Sequence, residues 1–203
     1  SLPPTVSETA TSPRTATATA TPANTRTPTA TATPTATATH TATPTPIPTG
    51  IENGGFEVLT PLVGAVGWTG YSKNEYSVYW RELALEIVRP HGGQYGVWLA
   101  GSDDELNYVQ QTEVLVPTDA HVLTYWLYTV SAESTCGADT GKVLVDGQVV
   151  AQHNLCSTTS AGRWVKHTIN LSAYAGKSIT LQFRGETNNT NTSDLFLDDV
   201  DFE

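Results

Sequence analysis

Residues 142–151 read KVLVDGQVVA, two β-branched runs joined by Asp146-Gly147. An Asp-Gly pair between such runs is the strongest short hairpin signal, because a type I′ turn needs positive φ at both central positions. With those two residues as the turn, Val145 faces Gln148 and pairing runs outward from there. Cys136 and Cys156, the only cysteines, then fall one residue out of register, which a bulge or a loose hairpin end absorbs. A disulfide closing the open end of the hairpin is therefore geometrically reasonable. It implies an oxidising, extracytoplasmic setting; two buried free thiols are the alternative.

Outward from the hairpin the pattern stays β. Strand-like runs are GFEVL, YSVYW, LALEIV, QYGVWLA, YVQQTEVLV, HVLTYWLYTV, the hairpin, RWVKHTINL, SITLQFRG and DLFLDDVDF. Gly, Asn, Asp or Ser clusters separate most of them, and no stretch sustains a helical period. So many short strands within residues 51–203 predict an all-β fold, a two-sheet sandwich of jelly-roll type.

Residues 1–50 differ in kind. Leu2, Val6 and Ile47 are their only bulky apolar side chains, too few to offset the entropy of ordering the backbone. Repeated Pro excludes a helix and favours an extended or polyproline spacer, so this part reads as a low-complexity stalk. Thr recurs at every second position: Thr15, Thr17, Thr19, Thr21, Thr25, Thr27, Thr29, Thr31, Thr33, Thr35, Thr37, Thr39, Thr41, Thr43, Thr45 and Thr49. Small neighbours at each suit dense O-glycosylation; an unmodified linker is the alternative. Asn170, Asn188 and Asn191 stand in N-x-Ser/Thr sequons, which chance supplies readily in a Ser/Thr-rich chain.

Charge narrows the partners. The stalk holds Glu8 against Arg14 and Arg26, so residues 51–203 carry −11 of a total of −10. That balance argues against nucleic acid and anionic membranes and is compatible with Ca²⁺. No apolar run approaches a membrane span. The chain has no Met and starts at Ser1 without a signal-peptide pattern, which reads as a processed chain.

Several segments carry a family resemblance. NGGFE, GGQYGVWLAG, LTYWLYTVSAES, VLVDGQVVA, LSAYAGKSITLQFRGET and LFLDDVDF stand in the order found in bacterial carbohydrate-binding-module-like jelly rolls of the galactose-binding-like type. The resemblance spans residues 51–203 and implies fold more than ligand. It also implies a structural Ca²⁺ tying the first strand to the last. Carried over, the ligands become the Glu57 and Asp198 carboxylates with carbonyls of Gly55, His91 and Gln94; Asp199 is the substitute for Asp198. Phe196, Asp198, Val200 and Phe202 share one parity, and a carboxylate on an apolar face must be paired or coordinated. Hard oxygen ligands suit Ca²⁺ rather than Zn²⁺. The alternative is that Asp198 caps backbone amides or pairs with Arg184 or Arg89.

Catalytic signatures are missing: no HExxH, GxSxG, phosphate-binding glycine loop or zinc spacing occurs. Asp139-Thr140-Gly141 matches the aspartic-protease triplet once, without a second lobe, and reads as coincidence. The expectation is a non-enzyme. Parity turns Leu123, Tyr125 and Leu127 inward and Trp126 and Tyr128 outward; Trp98 and Trp164 point outward likewise. Outward aromatics on one sheet bind sugar rings or form a subunit interface. Two functions follow. The first is an extracellular structural or adhesive protein, self-associating into a glycosylated surface assembly or filament. The second is a glycan-binding module tethered by its stalk to a cell surface or an enzyme. The sequence leans slightly to the first.

Overall fold

The computed structural model describes residues 50–61, 64–81 and 88–203. Expectations for the stalk threonines, and for the run LALEIV apart from Val88, lie outside them. The strands are β1 Leu59–Thr60, β2 Gly64–Ala65, β3 Thr69–Ser72, β4 Tyr79–Arg81, β5 Tyr95–Ala100 and β6 Leu106–Leu115. They continue with β7 Val122–Ser131, β8 Asp139–Val145, β9 Gln148–Leu155, β10 Val165–Asn170, β11 Ser178–Glu186 and β12 Ser193–Phe202. A 3₁₀ turn at Ser172–Tyr174 is the sole helical element among the described residues.

Ten of these strands form two five-stranded antiparallel sheets, a jelly-roll sandwich, while β1 and β2 make a small separate ribbon. The hairpin sheet runs β3-β6-β11-β8-β9, and the second sheet runs β10-β7-β12-β5-β4. Between them lie Val109, Val143, Leu181 and Phe183 from the first, and Val97, Leu99, Leu123, Tyr125, Leu127, Leu195 and Leu197 from the second. Alternation of apolar and polar residues creates this core, because successive side chains on a strand point to opposite faces.

The hairpin forms as read. Asp146 and Gly147 have φ of 49° and 78°, and Val145 pairs with Gln148. A register shift between Val143 and Leu144 lies in the arm, and beyond the strand ends Cys136 and Cys156 form a disulfide with Cα atoms 5.1 Å apart.

Two readings differ from the structure. GFEVL is mostly a tight turn rather than a strand: Phe56, fully buried, has φ 58°, and only Leu59–Thr60 pairs. The parity of the last strand breaks at a bulge. Asp199 has φ 46°, and the pairing of β12 with β7 slips between Asp198 and Asp201. The extra residue flips the face, as bulges do. Leu195, Leu197, Val200 and Phe202 therefore enter the main core, while Phe196 turns to the outer side of the sheet and Asp198, of the same parity, is buried beneath the 91–95 loop.

Candidate functional site

The outer face of the second sheet carries the aromatics expected there. Phe196 pairs across strands with both Trp98 and Tyr128, and Asp198 with Trp126. These side chains build a satellite core instead of a bare platform. Trp80, Val88 and Phe196 are buried, with Trp98, Tyr128 and Trp164 packed on them half-buried. Phe196 has ring centroids of Trp80, Trp98 and Tyr128 at 5.1, 5.8 and 6.1 Å. Indole donors are consumed inside the cluster: Trp98 Nε1 donates to Asp194 at 2.9 Å and Trp164 Nε1 to the Arg89 carbonyl at 3.0 Å. Burial raises the Asp194 pKa, opposed by that indole hydrogen bond. Trp126 is covered by the His91 ring, stacked at 3.9 Å.

At the end of this face, the loop before β5 meets the first turn and the bulge of β12. Asn53 braces the turn: its Oδ1 accepts from Val58 N at 3.1 Å and its Nδ2 donates to the Val58 and Val66 carbonyls. The turn presents Glu57, whose carboxylate accepts the amides of Gln94 and Tyr95 at 2.9–3.0 Å. A Cβ on Gly93 (φ 57°) would lie 2.2 Å from the Glu57 carboxyl carbon, so the loop needs glycine to close on it. Asp198 is fully buried and accepts from Gly92 N at 3.0 Å and Asp199 N at 2.8 Å. His91 Nδ1 lies 2.6 Å from Asp199 Oδ2. A Cβ on Gly55 would stand 3.3 Å from Asp199 Oδ1.

The residues carried over for Ca²⁺, Gly55, Glu57, His91, Gln94 and Asp198, thus gather around one loop with Asp199. Among the described residues, no three His, Cys, Asp or Glu side chains are arranged to chelate a metal, so carbonyl oxygens would have to complete a shell. The Glu57 and Asp198 carboxylates are both engaged by backbone amides, the capping alternative for Asp198. Burial, and less strongly the Asp199 charge, push the Asp198 pKa up to about 7 against the amides of Gly92, Asp199 and His91.

The outer face of the hairpin sheet is of a different character, and sequence reading passed over it. Register aligns Tyr71 with Tyr108, Tyr108 with Arg184, Arg184 with Lys142, and Lys142 with Gln152, one row across all five strands. The flanking rows bring Thr69, Gln110 and Gln182 on one side and Glu186, Thr140 and Asn154 on the other. Tyr71 is 46% exposed, and its ring stacks on Tyr108 at 5.2 Å and 23°. Gln182 Nε2 donates to Gln110 Oε1 at 3.0 Å. Glu186 takes Lys142 Nζ on one oxygen and Arg184 Nε, at 2.8 Å, beside the other. The Arg184 Nε contact lies off the N–H axis, an ion pair without a hydrogen bond. The polar parity of YVQQ and QFRGE was visible in sequence; the alignment across strands was not, and the TGYS segment of β3 carried no strand signal.

Asp139 of the protease-like triplet is buried, accepting from Ser193 Oγ and Asn188 N at 2.6 and 2.8 Å. It braces the loops at that end of the sandwich.

No protein-family model and no curated protein matches the chain. Among solved structures, the K2 cleaved adhesin domain of Lys-gingipain is similar at 20% identity, over 73% of this chain and 94% of that one, with a TM-score of 0.52. The K3 cleaved adhesin domain of Lys-gingipain from Porphyromonas gingivalis w83 is similar at 15% identity, over 68% and 91%, with a TM-score of 0.50. The module TmCBM61, solved with β-1,4-galactotriose, is similar at 18% identity, over 75% and 96%, with a TM-score of 0.47. The two adhesin domains share the jelly-roll fold with the folded domain of this chain, at identities that speak to fold alone.

Proposed function

We propose that the folded domain is a non-catalytic glycan-binding module of an extracellular adhesive protein, and that glycans lie across the outer face of the hairpin sheet. The row Tyr71–Tyr108–Arg184–Lys142–Gln152 carries this reading. The exposed Tyr71 ring, backed by half-buried Tyr108, offers an apolar surface to a sugar ring, and the neighbouring side chains supply donors and acceptors for its hydroxyls. The fold neighbours support it by kind, being named as adhesin domains. The disulfide supports an oxidising compartment, and no helix among the described residues is long and apolar enough to cross a membrane. We also propose a structural Ca²⁺, held by Glu57, Asp198 and Asp199 with loop carbonyls, which would neutralise Asp198 and fasten the bulge of β12 to the 91–95 loop. Assembly into a glycosylated filament rests on the stalk, and no observation among the described residues favours it.

The test is a glycan array probed with the full chain, followed by Tyr71→Ala and Tyr108→Ala. Each variant should keep its melting temperature within a few degrees and lose at least about tenfold in affinity, about 1.4 kcal/mol. Binding unaltered in both variants, or no glycan bound by the parent chain, overturns the reading.

A further inference from the structure

The middle of the hairpin-sheet face has a local charge opposite to that of the domain. Lys142, Arg184 and Glu186 are its charged groups in the central rows, and both cations lean on the one carboxylate. One carboxylate neutralises one cation, so a positive charge is left over. Both cationic side chains are largely covered, at 18% exposure for Lys142 and 25% for Arg184. Among the described residues the Arg184 side chain donates no hydrogen bond to a protein group. The guanidinium nitrogens other than Nε make no bond to these residues and can meet an anion, and the planar fork matches a carboxylate in two parallel bonds. Glu186 holds the Nε side, which fixes the head group and leaves the other donors to a ligand.

At the β3 edge, Glu105 accepts from Ser72 Oγ and the Lys73 amide, and Glu75 lines the cleft beside Tyr71, so the positive excess belongs to the Arg184–Lys142 part of the row. Glu113 is five residues along β6 from Tyr108, about 16 Å at strand rise. Asp146 is four residues along from Lys142, about 13 Å. Asp104, near the far end of β3, pairs with Lys73 at 2.8 Å. At physiological salt the screening length is about 8 Å, so Glu113 and Asp146 act only weakly on Arg184 and Lys142.

We infer that this face takes an acidic sugar, a uronic or sialic acid residue whose carboxylate pairs with Arg184 while its ring lies against the Tyr71–Tyr108 pair. The inference rests on the glycan-binding reading above and adds the charge of the ligand. The test is calorimetric titration of the full chain with oligogalacturonate, oligoglucuronate and sialyllactose, each beside its carboxyl-reduced counterpart, at low and high salt. At least one acidic ligand should bind about tenfold more tightly than its reduced form, with the preference shrinking in high salt. Which ligand does so separates the uronic from the sialic source. Arg184→Gln should bring the acidic ligand down to the affinity of the reduced one. Arg184→Lys, which keeps the charge and the fold but loses the fork, should retain only part of the preference. Equal binding of acidic and reduced forms overturns the acidic ligand and leaves the glycan-binding reading standing. No binding by any of them, together with a blank glycan array, overturns both.

Discussion

His153 on β9 and His167 on β10 meet at the open edge between the sheets, ring centroids 4.5 Å apart, and Tyr125 Oη lies 2.9 Å from His153 Nε2. Burial, and then the charge of His167, lower the His153 pKa from 6.5 to about 4; burial lowers His167 as well. The consequence for stability has a definite sign. As pH falls below 6.5 the unfolded chain takes up a proton on His153 and the folded one does not until about pH 4. Stability is therefore complete above pH 6.5 and drains away between 6.5 and 4. At about 1.4 kcal/mol per pH unit the window is worth about 3 kcal/mol, and partial exposure of the ring trims that to about 2. Asp198 works the other way: with its pKa raised to about 7, the metal-free fold gains stability as pH falls below 7. The clean perturbation is therefore His153→Gln, which keeps a polar partner for Tyr125 and cannot titrate. Denaturant unfolding of parent and variant at pH 7 and pH 4 should show the variant's relative stability rising by about 2 kcal/mol in acid. A parent–variant difference that is the same at both pH values refutes the reasoning.

Reduction of Cys136–Cys156, which spans 20 residues, should lower unfolding stability by about 2–4 kcal/mol, read as a shift of the denaturant midpoint with and without reductant. Ca²⁺ should raise the melting temperature and a chelator lower it, with Asp198→Ala abolishing the difference; identical melting curves in calcium and chelator remove the metal from the account. Phe196→Ala, at a side chain only 3% exposed, should cost about 3–5 kcal/mol while glycan affinity stays at the parent value. Lost binding at intact stability would move the site to the second sheet.

What the sequence disclosed and what it hid follow from how local each feature is. The hairpin needed only Asp146, Gly147 and their flanking β-branched residues, all within one turn. Core rows such as Leu123, Tyr125 and Leu127 needed only the strand period, and the same period put Trp98 and Trp126 on the outside. It did not show that Trp80 and Phe196 would fill the space beneath Trp98, because that depends on which strands become neighbours. The bulge at Asp199 inserts one residue without a sequence mark, and it alone reversed the faces of Phe196 and Asp198. The hairpin-sheet row was hidden for the same reason: Tyr71 and Gln152 are far apart in the chain and meet the row only through register.

A two-sheet sandwich has two outer faces, and here they are spent differently. On the second sheet, aromatic side chains stack on one another, Trp98 and Trp164 give their N–H groups to Asp194 and to the Arg89 carbonyl, and His91 lies over Trp126. A sugar hydroxyl arriving there must displace bonds already made, which returns little net free energy. On the hairpin sheet the polar side chains are fewer in their commitments: Arg184 makes an ion pair without a hydrogen bond, and the Tyr71 ring keeps nearly half its surface in water. A ligand there can bond the Arg184 guanidinium without first displacing a protein hydrogen bond from it. The aromatic count favours the second sheet, but the unspent bonding capacity lies on the hairpin sheet, and binding draws on the latter.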